Sequence, residues 1–326
     1  MSKINWKAAR TRRLIISYLK DWLLVIVMTA AFFAIDKVPP YHRKFSIQDK
    51  TIMFPYAVEE TIPVWLLLII CFVVPIVAMA LVSIGIRHSL HDFHSGLLGL
   101  CLGLSITIMI TDIIKITAGR ARPDMLDRCQ APPGIIDPVY GLTDYTVCTT
   151  PADSAIMIDG FKSFPSGHSS FSFAGLGFLS FYLGGKMRMF DERGHTWKGF
   201  VFAAPLAGAI LVAISRTRDY RHHWQDVLVG GLLGLCSAYF AYRQYHPALG
   251  HLRCCTPFAP RFPATDDNGP YNVIDDSEAT LYNRNIDPVT GRSVPLKGID
   301  PNSGLPQTHH RSEDPFVDSA SSSTQQ

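Results

Sequence analysis

The sequence predicts an all-α fold: a polytopic membrane bundle of six transmembrane helices followed by a disordered C-terminal tail. Two observations carry this prediction. Six apolar runs, separated by polar segments, lie before residue 246, and residues 246–326 are rich in Pro, Asn, Asp, Ser and Thr. A tail of that composition cannot bury enough apolar surface to offset the entropy lost on ordering. We therefore expect a cytosolic segment at 1–19, a membrane domain at 20–245 and a cytosolic tail at 246–326.

The first apolar run, residues 22–35, is short, because a helix needs about 17–25 residues to cross the hydrocarbon core. It reaches that length if Lys20 extends its ammonium group to the headgroups. A cleaved signal peptide is the alternative, with residues 31–34 as a weak cleavage-like site. We predict a retained span.

The second run, residues 62–86, contains no charge and is the clearest span. His88, His91 and His94 follow it. Three neighbouring histidines could bind a metal ion, but their spacing straddles a loop, and a solvated basic turn is the better explanation.

Four further runs complete the prediction: 96–116, 171–183, 199–214 and 224–241. Basic residues in the short segments favour the cytosolic side. The N-terminal segment, the loop at Arg87, the link 184–198 and the start of the tail are basic and share one side by parity. Both termini are therefore predicted cytosolic. The sequence does not distinguish an endomembrane (vacuole, Golgi or endoplasmic reticulum) from the plasma membrane, and it leaves the oligomeric state open.

The composition excludes some classes of protein. A net charge of +3 gives no indication of nucleic-acid binding, and seven scattered cysteines lack the spacing of a zinc site. Cys129 and Cys148 share a predicted extracytoplasmic loop, where they form either a disulfide or free thiols. Cys254 and Cys255, just past the last span, are either palmitoylation sites or ordinary thiols.

Polar residues at the ends of four spans fall on the predicted extracytoplasmic face. Lys115, Arg122 and Arg216 carry cations suited to a phosphate dianion. Ser166 and Gly167 precede a predicted helix, whose N-terminal N–H groups and dipole favour an anion. Taken singly, the two basic residues near span three also suit headgroup anchoring, and Ser166 suits a helix cap.

Two histidines on the same face supply acid–base and nucleophilic chemistry. His222 and Asp226 are four residues apart, which on a helix places both side chains on one face. The carboxylate would then hold one ring nitrogen and leave the other free to attack. His168 would protonate the leaving oxygen. Taken alone, His222 and Asp226 would indicate only an interfacial histidine whose hydrogen bonding is satisfied by the carboxylate.

These residues resemble the three signature motifs of the type 2 phosphatidic acid phosphatase superfamily: Lys115 with Arg122-Pro123, Pro165-Ser166-Gly167-His168, and Ser215-Arg216 with His222 and Asp226. The resemblance is greatest to fungal lipid phosphate and diacylglycerol pyrophosphate phosphatases. It implies that His222 forms a phosphohistidine, Asp226 orients it, and His168 is the acid and then the base. The phosphoryl oxygens would be held by Lys115, Arg122, Ser166, Gly167 and Arg216.

The resemblance also implies no metal and no cofactor, a bilayer around the protein, and a lipid phosphate as substrate: phosphatidate, lysophosphatidate or diacylglycerol pyrophosphate. Alternatives within the superfamily are a polyprenyl-diphosphate phosphatase, a soluble phosphate ester phosphatase and a vanadate-dependent haloperoxidase. A non-catalytic anion-binding or lipid-binding membrane protein is the alternative of another class. Such a protein would need the cations but not His168, His222 and Asp226 together.

Overall fold

The structure, a computed structural model, describes residues 9–261. Most of the predicted tail, at 262–326, and the first eight residues lie outside the described part. Within it the fold is helical, and the nearest approach to a strand is one isolated bridge between Phe45 and Thr143. The prediction of an all-α fold is confirmed.

The described chain forms six long helices, two short α-helices and two single-turn 3₁₀ helices, Lys50–Ile52 and Tyr145–Val147. The long helices are α1 (Ala9–Ile35), α2 (Val64–Ile86), α3 (Leu90–Ala118), α6 (Gly167–Lys186), α7 (Thr196–Arg218) and α8 (Trp224–Tyr245). The short helices α4 (Met125–Cys129) and α5 (Ala155–Gly160) lie in the long segment between α3 and α6. Two π-helical turns, Ile69–Val73 and Leu81–Ile86, interrupt the α-helical pattern of α2.

Four of these helices are long and apolar enough to cross a membrane: α1 (over Arg12–Ile35), α2, α3 and α7. Helices α6 and α8 have comparable lengths but contain more polar residues. In α6 the polar side chains of Ser169, Ser172 and Ser180 are buried. Because these serines are buried inside the protein, they lower the mean hydropathy of the helix without exposing polar groups to lipid. The count of six spans therefore stays a prediction.

Helix α6 occupies the centre of the bundle and packs against α2, α3, α7 and α8. Glycines set the closest approaches. A Cβ atom at Gly175 would collide with the backbone carbonyl of Cys71 on α2, and one at Gly234 on α8 would collide with the carbonyl of Ser170. Side chains at either position would force these helices apart.

The start of helix α3 differs from the predicted one. Helix α3 begins at Leu90, not at 96, because Ser89 caps it by accepting a hydrogen bond from the Asp92 amide at 3.2 Å. His91 and His94 therefore lie on the helix and not in a loop, and Nε2 of His94 accepts the indole N–H of Trp22 at 3.2 Å. No three His, Cys, Asp or Glu side chains in residues 9–261 could hold a metal ion together.

The packed part of the chain extends beyond the predicted boundary at 245. His246 and Cys254 are buried, and the amide of Phe258 donates to the carbonyl of Tyr245 at 2.9 Å. Arg261 forms an ion pair with Asp21 on α1. Residues 246–261 are therefore held in place by apolar and charged contacts with the bundle, although their composition predicted disorder.

Candidate active site

All eight predicted site residues lie at one end of the bundle. Helices α3 and α7 end there, and α6 and α8 begin there. The residues are Lys115 on α3, Arg122 after α3, Ser166, Gly167 and His168 at the start of α6, Arg216 on α7, His222 in the following loop and Asp226 on α8. Backbone bonds join the segments: the Ser166 amide donates to the carbonyl of Asp226 at 2.9 Å.

The N-terminus of α6 faces the ammonium group of Lys115. Ser166 is the N-cap, and its hydroxyl accepts from the amide of Ser169 at 3.4 Å. A Cβ atom on Gly167 would come within 3.2 Å of Nζ of Lys115. Within residues 9–261, Lys115 forms no ion pair with a carboxylate. A cation without a carboxylate partner, beside free helix N–H groups, is suited to bind an anion.

His222 is buried and oriented by a backbone carbonyl. Its Nδ1 donates to the carbonyl oxygen of Ser163 at 2.6 Å, which fixes the tautomer and leaves the lone pair on Nε2 free. Burial, together with the cations of Arg122, Arg216 and Lys115, lowers the pKa of His222 well below its ordinary value. The imidazole is therefore neutral at physiological pH, as a nucleophile requires.

The predicted pairing of His222 with Asp226 on one helix face is corrected by the structure. Helix α8 begins at Trp224, so His222 lies before the helix. Oδ2 of Asp226 is 4.0 Å from Nδ1 of His222, too far for a hydrogen bond. Asp226 instead accepts from the hydroxyl of Ser163 at 2.6 Å and from Arg120 at 2.7 Å. The carboxylate thus contacts the residue whose carbonyl holds the imidazole.

Three arginines converge on Asp159, a residue of α5 that the motifs did not indicate. Its carboxylate accepts from Arg122 at 2.6 Å, from Arg128 at 3.0 Å and from Arg221 at 3.4 Å. Burial alone would raise the pKa of Asp159, but these cations lower it to about 2. The carboxylate stays ionised and fixes the direction of the Arg122 guanidinium.

A second carboxylate that sequence reasoning missed lies beside His168. Oε2 of Glu60 is 3.1 Å from Nη1 of Arg216 and 3.9 Å from Nε2 of His168. Nε2 of His168 donates to the carbonyl oxygen of Ile62 at 3.0 Å. The sequence offers one weak signal, a carboxylate directly before an apolar run, but nothing in it links that position to residues more than 100 positions later.

An apolar cavity of about 610 Å³ opens onto the site between α1, α2, α3 and α6. Most of its wall consists of hydrophobic side chains, among them Phe33, Leu68 and Leu104, while Lys115 and His168 line it at the site. Along α3 the lining extends from Cys101 to Lys115, about 21 Å at 1.5 Å per residue. That length is more than half of a hydrocarbon core of about 30 Å.

Cys129 and Cys148 form a disulfide, which decides between the two alternatives left open by the sequence. It joins the end of α4 to the segment before α5. Cys254 and Cys255 are free thiols.

Comparison with known proteins identifies the family. The PAP2 superfamily profile matches residues 96–249, which include all eight site residues. A probable diacylglycerol pyrophosphate phosphatase 1 of Schizosaccharomyces pombe is 40% identical over 71% of this chain and 82% of its own length. Lipid phosphate phosphatase 2 of Arabidopsis thaliana is 42% identical over 71% and 78%. Diacylglycerol pyrophosphate phosphatase 1 of Saccharomyces cerevisiae is 37% identical over 87% and 92%. No solved structure gives a significant match.

The profile match over residues 96–249 and the similarity to named phosphatases identify the chain as a phosphatase of the PAP2 superfamily. Within that superfamily the chain belongs to the family of lipid phosphate and diacylglycerol pyrophosphate phosphatases.

Proposed function

We propose that the protein is an integral membrane phosphatase that hydrolyses lipid phosphates without a metal ion, through a phosphohistidine, at the extracytoplasmic face. Its substrates are phosphatidate, lysophosphatidate and diacylglycerol pyrophosphate. The observation that carries the lipid assignment is the apolar cavity that ends at Lys115 and His168. A soluble phosphate ester would leave that surface uncovered, whereas an acyl chain would bury it. The names of the relatives agree with a lipid substrate.

In the first step Nε2 of His222 attacks phosphorus, and the bond from phosphorus to the leaving oxygen breaks. His168 gives its proton to that oxygen, so the lipid departs as an alcohol. Lys115, Arg122 and Arg216 carry the charge of the phosphoryl oxygens, together with the N–H groups at the start of α6. The Ser163 carbonyl accepts a hydrogen bond from Nδ1–H of His222 and so leaves the attacking nitrogen, Nε2, unprotonated.

In the second step a water molecule attacks the phosphohistidine. His168, now neutral, takes a proton from the water, the N–P bond breaks, and inorganic phosphate leaves. Each residue then returns to its starting protonation state, and the net reaction is hydrolysis. In this proposal residues of the chain perform every step, and no step is assigned to a metal.

The membrane arrangement follows from the same proposal. With α6 and α8 as the fourth and sixth spans, both termini are cytosolic and the ends of α3 and α7 are extracytoplasmic. The site then lies at headgroup depth, where a lipid phosphate reaches it without leaving the bilayer. Polyprenyl diphosphates and soluble phosphate esters remain the alternatives within the superfamily, and a non-catalytic anion-binding or lipid-binding protein is the alternative outside it.

The test is phosphate release from phosphatidate and diacylglycerol pyrophosphate in detergent micelles with excess EDTA. We expect the wild type and an exposed-histidine control, His195→Ala, to release phosphate and His222→Ala to release none. Loss of release in EDTA would contradict the metal-independent mechanism, and full activity of His222→Ala would contradict the nucleophile. A folded wild type that releases phosphate only from polyprenyl or soluble substrates would replace the lipid assignment.

A further inference from the structure

Glu60 places a carboxylate next to the proposed proton donor. Its Oε2 atom is 3.9 Å from Nε2 of His168 and 3.1 Å from Nη1 of Arg216. Its Oε1 atom is 3.5 Å from Nη2 of Arg221. The mechanism described above gives this carboxylate no role, although it lies among the groups that contact the substrate.

The segment that carries Glu60 is held in place by the two residues that follow it. The amide and the hydroxyl of Thr61 donate to the carboxylate of Asp219, at 2.8 and 2.5 Å. The carbonyl of Ile62 accepts from His168 at 3.0 Å. Glu60 is only 26% exposed, so its carboxylate is held near the imidazole instead of moving freely in solvent.

His168 needs a counter-charge if it is to act as an acid. Burial disfavours the charged form of this imidazole most, and Arg216, Lys115 and Arg122 each add repulsion of its positive charge. Glu60 is the carboxylate within 4 Å of that ring in the described part of the chain. An opposite charge at that distance favours the protonated form, which is the form that delivers a proton.

The requirement for a proton depends on the leaving group. Phosphatidate loses an alkoxide, which is about as basic as hydroxide, whose conjugate acid water has a pKa of about 15.7. Diacylglycerol pyrophosphate transfers its terminal phosphoryl group to His222 and releases phosphatidate, a phosphate monoester whose second pKa is about 6, so this leaving group departs as an anion without being protonated. Weakening the acid therefore slows cleavage of the ester and leaves cleavage of the anhydride unaffected.

We propose that Glu60 is a positioning residue that offsets part of the burial and repulsion that disfavour a protonated His168, and that it thereby determines how well the enzyme hydrolyses phosphate monoesters relative to pyrophosphates. This inference rests on the proposed function. It requires no group beyond the chain, because the proton that His168 gives to the ester oxygen is returned by the water of the second step.

The test compares kcat/KM for phosphatidate and for diacylglycerol pyrophosphate in the wild type, Glu60→Gln and Glu59→Gln. The parameter kcat/KM reports the step in which the leaving group departs. Glu59 is the adjacent, exposed carboxylate and serves as the matched control. We expect Glu60→Gln to lower kcat/KM for phosphatidate by about tenfold or more, with the 10²–10⁴-fold that general acid catalysis supplies as the upper limit, and to lower it for the pyrophosphate by less than about twofold. Glu59→Gln should change neither.

A parallel loss with both lipids would overturn the inference, because it would mean that Glu60 only holds Arg216 or the fold. No change with either lipid would overturn it as well. Glu60→Asp keeps the charge and should retain more phosphatidate hydrolysis than Glu60→Gln. If it retains no more than Glu60→Gln, the carboxylate charge is not what matters.

An aryl phosphate and an alkyl phosphate, both soluble, separate this inference from the lipid assignment. A phenolate leaves without being protonated, whereas an alkoxide does not. If the wild type hydrolyses the soluble pair but neither lipid, the proposed substrate class is wrong, and the ratio of aryl to alkyl hydrolysis in Glu60→Gln still decides the role of Glu60. A wild type that hydrolyses none of the four substrates contradicts both proposals.

Discussion

Replacing Asp226 by Asn tests how the nucleophile is held. The carboxylate is fully buried and accepts from the Ser163 hydroxyl at 2.6 Å, from Arg120 at 2.7 Å and from the His223 amide at 3.0 Å. Hydrogen bonds to a charged group contribute about 1.5–3 kcal/mol, against about 0.5–1.5 kcal/mol for neutral pairs. Three such bonds each weakened by about 1 kcal/mol give a stability loss of about 3 kcal/mol, at the low end for breaking a buried ion pair.

The same geometry sets the loss of activity. Where a carboxylate holds an imidazole directly, its replacement by an amide costs about 10⁴-fold, because the wrong tautomer forms. Here the carbonyl of Ser163 fixes the tautomer of His222, and that carbonyl remains in Asp226→Asn. The substitution therefore displaces the imidazole without changing its tautomer, and a displacement of about 1 Å costs on the order of 10²-fold.

The assay is kcat/KM for phosphatidate, alongside thermal unfolding in the same detergent. Ser163→Ala is the matched variant, because it removes the bond to Asp226 but keeps the carbonyl that holds His222. We expect it to lose activity in the same direction and by less. A loss near 10⁴-fold in Asp226→Asn, with Ser163→Ala fully active, would refute the reasoning and restore a direct bond between the carboxylate and the imidazole.

Three further predictions concern pH, the disulfide and topology. Burial and nearby cations lower the pKa of His222 in the folded state. As the pH falls below about 6.5, His222 therefore becomes protonated in the unfolded state before it does so in the folded state. The stability advantage of wild type over His222→Gln, measured by thermal unfolding, should shrink from pH 7.5 to pH 5. A constant difference would contradict a buried neutral imidazole. Replacing Cys129 and Cys148 by Ser should cost about 3 kcal/mol for a loop of this length, and an unchanged unfolding midpoint under oxidising conditions would contradict that. In sealed right-side-out vesicles, an impermeant maleimide should label Tyr140→Cys above the wild-type background but not Glu192→Cys, and the reverse pattern would invert the topology.

The sequence predicted the charged residues of the site because each follows or precedes an apolar run. Lys115 and Arg216 end long apolar helices, and Ser166 begins one, so chain parity alone placed them at one end. Charges at such positions are costly in lipid and therefore stand out in the sequence.

The contacts that orient those residues could not be predicted in the same way. Ser163 acts through its backbone carbonyl, and every residue type has one. Asp159 lies on the short helix α5 and Glu60 in the segment before α2, and the sequence pattern does not specify how either segment is placed against the arginines. The predicted helical pair of His222 and Asp226 was wrong for a local reason: the helix starts two residues after the histidine, with His223 as its N-cap.

Hydropathy was also an incomplete guide to the central helices. Helix α6 contains buried serines and glycines because it packs against four neighbours, and the close approach at Gly175 excludes a larger side chain. A helix so enclosed needs little apolar surface facing lipid. Its length was predicted as 171–183, whereas the structure extends it to Gly167–Lys186.

The central claim is that His222 carries the phosphoryl group. Rapid quenching of the purified enzyme with phosphatidate labelled in the phosphate group, in detergent with EDTA, tests it directly. We predict an acid-labile phosphoryl group on His222, located by mass spectrometry of peptides, present in wild type and in His195→Ala and absent in His222→Ala. A phosphoryl group on another residue, or steady phosphate release by His222→Ala, would contradict the account.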